Sequence, residues 1–506
     1  MARPAKLVAG REWRAGHQAH ALAALLLCAS ALLGACTVGP DYVPPKTSLP
    51  PAYSEAAGAQ ATAPSAPSTS EAAWWTNFGD PVLNHLIDEA QRSAPDLASA
   101  EARVREARAM RGVAGAAEYP EVDAGAAYAR THGSANVPVG VPPGGLGPGI
   151  DGNLWQAGFD ASWEIDVFGG TRRRIEAANA AYEASVAGRG DAALMLTGEI
   201  ARDYVVLRGA QRQLAVAQEN LSIQRDTLAL TRSQFDAGLA SRLDVLRAQA
   251  QVEATEAEIP TFVVDARTAI YRIGALVGVP PESLLTELDA PQAIPTPVAD
   301  VPVGLPSDLL QRRPDIREAE RQLAAANARI GVAKADLYPH FYLTGAAGLE
   351  SLDASTFLTA PSRYLSIGPS ISWLVFDAGK VRFTIDAEQA RTDAAAAQYQ
   401  RVVLDALRDV ESALVSYGQS KIRRERLAAE VAADRDAVGI AQRLYLQGLD
   451  DFLPVLDAER SLYVAEDKLA QTDRDTDIAL VALYKALGGG WHDDSAPLAS
   501  NANTKP

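Results

Sequence analysis

The chain is written twice, and an internal repeat on this scale commits it to a fold of two matched halves. Ala94-Pro95-Asp96-Leu97 recurs as Arg313-Pro314-Asp315-Ile316, Gly112-Val113-Ala114 as Gly331-Val332-Ala333, and Tyr119-Pro120 as Tyr338-Pro339, all at one spacing. Further on, Trp163 pairs with Trp373, Gly169 with Gly379, Gly238-Leu239 with Gly448-Leu449, and Val245-Leu246 with Val455-Leu456, at a second, shorter spacing. The spacing changes between Tyr-Pro and Trp, so the first half carries the longer insertion there. Repeat 1 occupies 81–279 and repeat 2 occupies 307–488, joined by a proline-rich connector over 280–306. Residues 36–80 contain an Ala-, Pro- and Ser-rich tether, and 489–506 form a tail.

Each half reads as helix, β-hairpin, very long helix, turn, helix. Pro314 and Asp315 suit a helix's first turn, where proline lacks no needed donor and a carboxylate meets the positive dipole end. Pro339 stops that helix near Tyr338. The hairpins, 121–168 and 340–377, alternate strictly. Trp155, Ala157, Phe159, Ala161, Trp163 and Ile165 face one way, against Gln156, Gly158, Asp160, Ser162, Glu164 and Asp166. Val122, Ala124, Ala126 and Tyr128 supply a partner strand; Leu365, Ile367, Ile371, Trp373 and Val375 repeat the pattern in the second half. Such alternation suits hairpins laid on a soluble core, and equally strands of an outer-membrane barrel with tryptophans near the interfaces. Two matched hairpins in an exported chain favour the barrel. Four strands cannot close one, and an open edge in lipid would leave backbone groups unpaired, so copies must share it; a trimer supplies twelve strands.

The long helices follow a heptad. Ile200, Leu207, Leu214, Leu221, Leu228 and Phe235 fall every seventh residue, matched by Val410, Tyr417, Arg424, Val431, Val438 and Tyr445. This is coiled-coil packing, interrupted only at Arg424. Thr171 to Asp236 spans roughly 100 Å of helix at 1.5 Å per residue. Gly238 and Gly448 end these helices at turns, so each half closes in a helical hairpin with a glycine tip.

Residues 1–35 carry Arg3, Lys6, Arg11 and Arg14, then an apolar run from Ala21 to Leu33, then Leu33-Gly34-Ala35-Cys36. That is a secretory leader. Its ending resembles the lipobox of bacterial lipoproteins, which makes Cys36 the acylated first residue of the mature chain; an ordinary leader with a chance cysteine is the alternative. The formal charge of −16 argues against a nucleic-acid partner, which would need a basic face. His85, His132, His340 and His492 are scattered, and no zinc-protease, phosphate-loop or serine-elbow motif is present, so an enzyme is not expected. No cofactor is expected beyond covalent diacylglycerol and N-acyl lipid on Cys36.

The motifs together resemble the TolC-like outer membrane factors, in particular the NodT-type efflux lipoproteins. Cys36-Thr37-Val38-Gly39-Pro40-Asp41-Tyr42 is similar to their mature start, Trp74-Trp75 with Phe78-Gly79-Asp80-Pro81 to their next block. Gly304-Leu305-Pro306-Ser307-Asp308-Leu309-Leu310, running into Arg312-Arg313-Pro314-Asp315-Ile316, is the most specific match. The resemblance implies a mainly α chain whose homotrimer closes a 12-stranded membrane β-barrel on a 12-helix periplasmic tunnel. It implies a passive conduit in the outer membrane lipid, fed by a periplasmic adaptor (membrane fusion protein) and an inner-membrane RND transporter. By position, Leu453 and Asp457 would form constriction rings of a periplasmic gate, and Tyr445 and Asp244 a latch between the hairpins. Gly238, Leu239, Gly448 and Leu449 would sit at the tips that meet the adaptor. Pro454 departs from the pattern, standing where some members place another ring acid. Type I protein secretion through the same conduit, or a periplasmic coiled-coil lipoprotein without a channel, are the competing readings.

Overall fold

The computed structural model describes residues 37–56, 73–132, 151–295 and 305–490. The leader, Cys36, most of the tether, the loop at 133–150, part of the connector and the tail from 491 onward lie outside the described residues. The chain divides into two compact units, each drawing on both repeats. One gathers the described parts of 1–45, 106–182 and 321–397, the other those of 46–105, 183–320 and 398–506. Seven α-helices of more than four residues are described: α1 (Pro81–Ser93), α2 (Pro95–Ala116), α3 (Gly170–Asp236), α4 (Arg242–Val277), α5 (Pro314–Ala335), α6 (Lys380–Leu446) and α7 (Phe452–Ala486). None is long and apolar enough to cross a membrane.

In the first unit, four strands form one antiparallel sheet, β1 (Glu121–His132), β2 (Asp151–Ile165), β3 (His340–Ser351) and β4 (Arg363–Ser372), in that order. The two hairpins are joined through β2 and β3, with Phe159 opposite Ala347 and Ile165 opposite Phe341. Register then puts Ala124, Phe159, Ala347 and Leu365 in one row, and Asp123, Asp160, Ala346 and Ser366 in the next, on the other face. The apolar face is exposed: Leu365 is 79% and Ile367 75% accessible. A sheet resting on a soluble core would hide these side chains. Contiguous apolar exposure of this kind marks a surface that meets lipid or another chain. Among the described residues, β1 and β4 each keep one edge without a partner strand.

β4 ends at Ser372, short of the alternation that runs on to Val375. The cause is its neighbour. β3 begins at His340, immediately after Pro339, and pairs it with Ser372, so nothing remains for Trp373 onward to bond. The paired tryptophans serve a shared local purpose. Trp163 Nε1 donates to Glu118 O at 3.0 Å and Trp373 Nε1 to Leu337 O at 3.2 Å. Each indole thus caps a carbonyl in the last turn before its own hairpin.

The same unit holds the arm from Thr37 to Tyr42. Gly39, at φ +99°, abuts Gly331 so closely that a Cβ on Gly39 would stand 2.5 Å from Gly331 Cα. Buried Arg173 donates to Val38 O (3.2 Å), Gly39 O (3.4 Å) and Asp41 Oδ1 (2.6 Å), and Asn327 Nδ2 donates to Pro40 O (3.1 Å).

The second unit is built on the tryptophan pair. Trp74 is fully buried and stacks on Tyr484 with ring centroids 5.0 Å apart, beside Phe78, Leu83, Leu86 and Ile87. Asp80 caps α1 by accepting from Val82 N and Leu83 N, with Pro81 at the first helical position. Its other oxygen accepts from Tyr204 Oη at 2.6 Å. Arg208, also fully buried, donates to Tyr204 Oη, Gln211 Oε1, Ala290 O and Gln292 Oε1. This network fixes the connector's first half onto α3. Ile200, Leu207, Leu221 and Leu228 of the heptad column are buried, as are Val410, Val431 and Val438.

Candidate functional site

The site expected from sequence lies at the free ends of the two helical hairpins in the second unit. α3 and α6 both end on a left-handed glycine, Gly238 at φ +80° and Gly448 at φ +68°. Leu239 N donates to Gln234 O at 2.8 Å and Leu449 N to Leu444 O at 2.9 Å, the long bond of a glycine C-cap in each case. Neither glycine has an atom within 4 Å of an added Cβ, so backbone conformation, not crowding, selects glycine there. Leu239 and Leu449 are among the most exposed leucines of the unit. These two bare leucines are apolar handles left uncovered by the described residues.

α7 starts at Phe452, which puts Pro454 in its first turn, where a missing N–H breaks no helical bond. Leu453 and Asp457 stand one turn apart on the same face, and both are exposed. Asp450 and Asp451, in the turn just before, are also exposed, with Asp451 N bonded to Asp450 Oδ1 at 2.8 Å. Sequence reasoning passed over these two acids because they belong to no periodic face. They place negative charge beside Pro454.

The two latch residues are near one another but do not bond. Asp244 is engaged at home: Ser241 N and Oγ donate to its Oδ2 at 3.1 and 2.6 Å, while Asp244 N donates to Ser241 Oγ at 3.3 Å. That is a capping box opening α4. Tyr445 Oη is buried beside Thr231 without a hydrogen bond of good geometry. Burial, and after it the charge of Asp244, pushes the phenol's pKa up. The Tyr445 ring packs 5.4 Å from that of Phe452, in a cluster with Leu221, Leu228, Ala248, Val252 and Val455. The hairpins are therefore joined at the tip chiefly by apolar packing.

The motif around Arg313 proves structural. Arg313 grips Asp315 with two bonds (3.0 and 2.7 Å) and donates to Ala486 O at 3.1 Å. It staples the start of α5 to the end of α7, far in sequence from either tip.

An apolar exposed sheet with two open edges among the described residues, together with paired coiled coils ending in bare tips, fits a subunit of a membrane channel. The family model described as outer membrane efflux protein matches residues 86–279 and 305–489. Nodulation protein T of Rhizobium leguminosarum bv. trifolii is 32% identical over 92% of this chain and 96% of its own length. The solvent efflux pump outer membrane protein SrpC of Pseudomonas putida is 32% identical over 91% of this chain and 96% of its own. Among solved structures, the outer-membrane channel OprN superposes with a TM-score of 0.83 at 38% identity, covering 90% of this chain and all of that one. The chain belongs to the outer membrane efflux protein family. It is an outer membrane efflux channel of the TolC-like, NodT-related kind.

Proposed function

We propose that three copies of this chain close the open edges of β1 and β4 into one twelve-stranded barrel, above a tunnel of twelve helices, and so form the passive outer membrane conduit of a tripartite pump. The observation that carries this is the sheet: its lipid-suited face is exposed and both its edges await strands, and only closure satisfies an edge in a bilayer. Small molecules reach the conduit from an RND transporter through a periplasmic adaptor, which docks on the tips at Gly238, Leu239, Gly448 and Leu449. Cys36, next to the arm locked by Arg173, carries the acyl anchor. The arm's rigidity supports a short, fixed path from lipid to protein.

At the mouth, three Asp457 carboxylates converge, repel one another and attract cations, while three Leu453 side chains form a dewetting ring. Asp450 and Asp451 add to the field. Opening requires the α6–α7 hairpin to swing from α3–α4, breaking the packing of Tyr445, Phe452 and Val455 against Leu221, Leu228, Ala248 and Val252. A partner that binds the parted tips better than the closed ones selects the open state. The test is the double variant Leu453→Ala, Asp457→Ala. Larger planar-bilayer conductance and sensitivity to vancomycin are expected; unchanged values in both refute the assignment.

A further inference from the structure

Acids recur every seventh residue along α7, at Glu459, Glu466 and Asp473, and α6 runs beside them in the opposite direction. Two of the three are neutralised. Arg435 Nη2 donates to Glu466 Oε1 and Arg424 Nε to Asp473 Oδ1, both at 2.6 Å. The third, Glu459, stands closest in sequence to the tip and is only 4% exposed. One heptad on from Arg435, the residue facing it is Gln442, whose Nε2 donates to Glu459 Oε1 at 3.0 Å. α3 completes each rung from the other side. Asn220 Nδ2 donates to Glu466 Oε2 at 2.9 Å, and seven residues later Thr227 Oγ1 donates to Glu459 Oε1 at 2.8 Å. The two rungs share one design, except that the cation of the first becomes a neutral amide in the second.

We propose that Glu459 is a positioning residue of the gate, buried between α3 and the α6–α7 hairpin in the closed mouth, where it is accommodated as the acid and disfavours closure when it gives up its proton. The inference rests on the channel reading above and names the seam that parts. A carboxylate without a counter-ion inside a coiled coil is costly, whereas a carboxylic acid in the same place is not. Among the described residues no Lys, Arg or His pairs with Glu459, whose side-chain partners are Thr227 and Gln442. Arg225 and Asp226 of α3, Arg443 of α6, and Asp457 and Arg460 of α7 all lie at exposed positions; Thr255 is the buried polar group of α4 near this level, and Tyr445 the titratable group on the adjoining turn of α6. Burial raises the proton affinity of Glu459, and the bonds from Thr227 and Gln442 offset this only in part. Thr227, Gln442 and Tyr445 also line a cleft of about 300 Å³ between α3 and α6, which gives water a way to the rung once the helices separate.

The sign follows from linkage. A closed mouth holds the proton more tightly than an open, hydrated one, so acid favours closure and rising pH favours opening, by up to about tenfold per pH unit for each proton released. The experiment is planar-bilayer recording of the full-length protein between about pH 5 and pH 8. Wild-type open probability rises with pH. Glu459→Gln holds the acid-like level throughout, and Gln442→Arg, which rebuilds the other rung's ion pair, flattens the profile as well. Glu466→Gln keeps the slope. If Glu459→Gln fails to assemble, Gln442→Arg decides alone. A flat wild-type profile, or a slope kept by the assembled variants, overturns this inference and leaves the channel reading standing. A protein that forms no conducting pore overturns both.

Discussion

α2 and α5 occupy the same place in the two repeats and live in opposite surroundings. Along α5, Leu323, Ala324, Ala325, Ala326, Ala328, Ile330 and Ala333 are buried, and Gly331 is pressed against Val38 and Arg173. Along α2, Met110 and Val113 are exposed, and Gly112, the partner of Gly331, has nothing within 4 Å of an added Cβ. The long helices differ in the same sense. α3 begins with buried Thr171 and Arg173, whereas α6 begins with Phe383 exposed. One half finds its neighbour inside the chain, and the other presents an equivalent surface to nothing. Equivalent sequence with unequal burial is what a ring of identical subunits looks like when a single subunit is seen.

The strongest way to break this comparison is on β4. Ile367→Arg costs about 2–4 kcal/mol per chain if the exposed face meets lipid near the midplane, and nearly nothing if it meets water. Loss of heat-modifiable trimer from the outer membrane fraction is the expected result. Next comes the glycine pair. Gly331→Val crowds the Val38 carbonyl inside the chain, where the Cβ alone would stand 2.9 Å away, and is expected to destabilise the protein by about 1–3 kcal/mol. Gly112→Val is harmless in an isolated chain but lowers trimer yield if α2 packs on a neighbouring copy; normal yield would place α2 in solvent. At the tips, where the two halves do touch, Tyr445→Ala is expected to leak while Tyr445→Phe stays closed, because the ring packs and its hydroxyl makes no hydrogen bond of good geometry among the described residues. Equal leakage from both would assign the latch to the hydroxyl.

The smallest effect sharpens the view of the heptad's interruption. Arg424 pairs with Asp473, and beside that pair buried Asp477 has its pKa pushed up to about 7, by burial first and the charge of Asp473 second. A carboxyl raised in the folded state stabilises below its ordinary pKa, and that contribution is lost as pH climbs to about 7. Asp477→Asn should therefore raise the melting temperature at pH 8 by about 2–4 °C and leave it unchanged near pH 4.

Much of this was legible in advance because it is periodic. Alternation along Trp155 to Ile165 and the seven-residue column from Ile200 to Leu228 each state which face is apolar, and a strand or helix must obey its own period. Gly238 and Gly448 were legible for a different reason: a left-handed residue at a helix end is almost always glycine. The resemblance to known channels pointed to Leu453 and Asp457, but not to Asp450 and Asp451, which sit in a turn and follow no period. It named Tyr445 and Asp244 as a pair, where the structure shows packing on one side and a capping box on the other.

The sequence by itself determined the two halves, their strands and coiled coils, and the tips that end them, since these depend on neighbours a few residues away. Tertiary structure alone decided that the apolar face of the sheet is bare, why the Arg313 motif is a staple, and that Glu459 meets Gln442 where Glu466 meets Arg435. Those facts depend on the register of one helix or strand against another hundreds of residues away, and register is set by packing that no local pattern records.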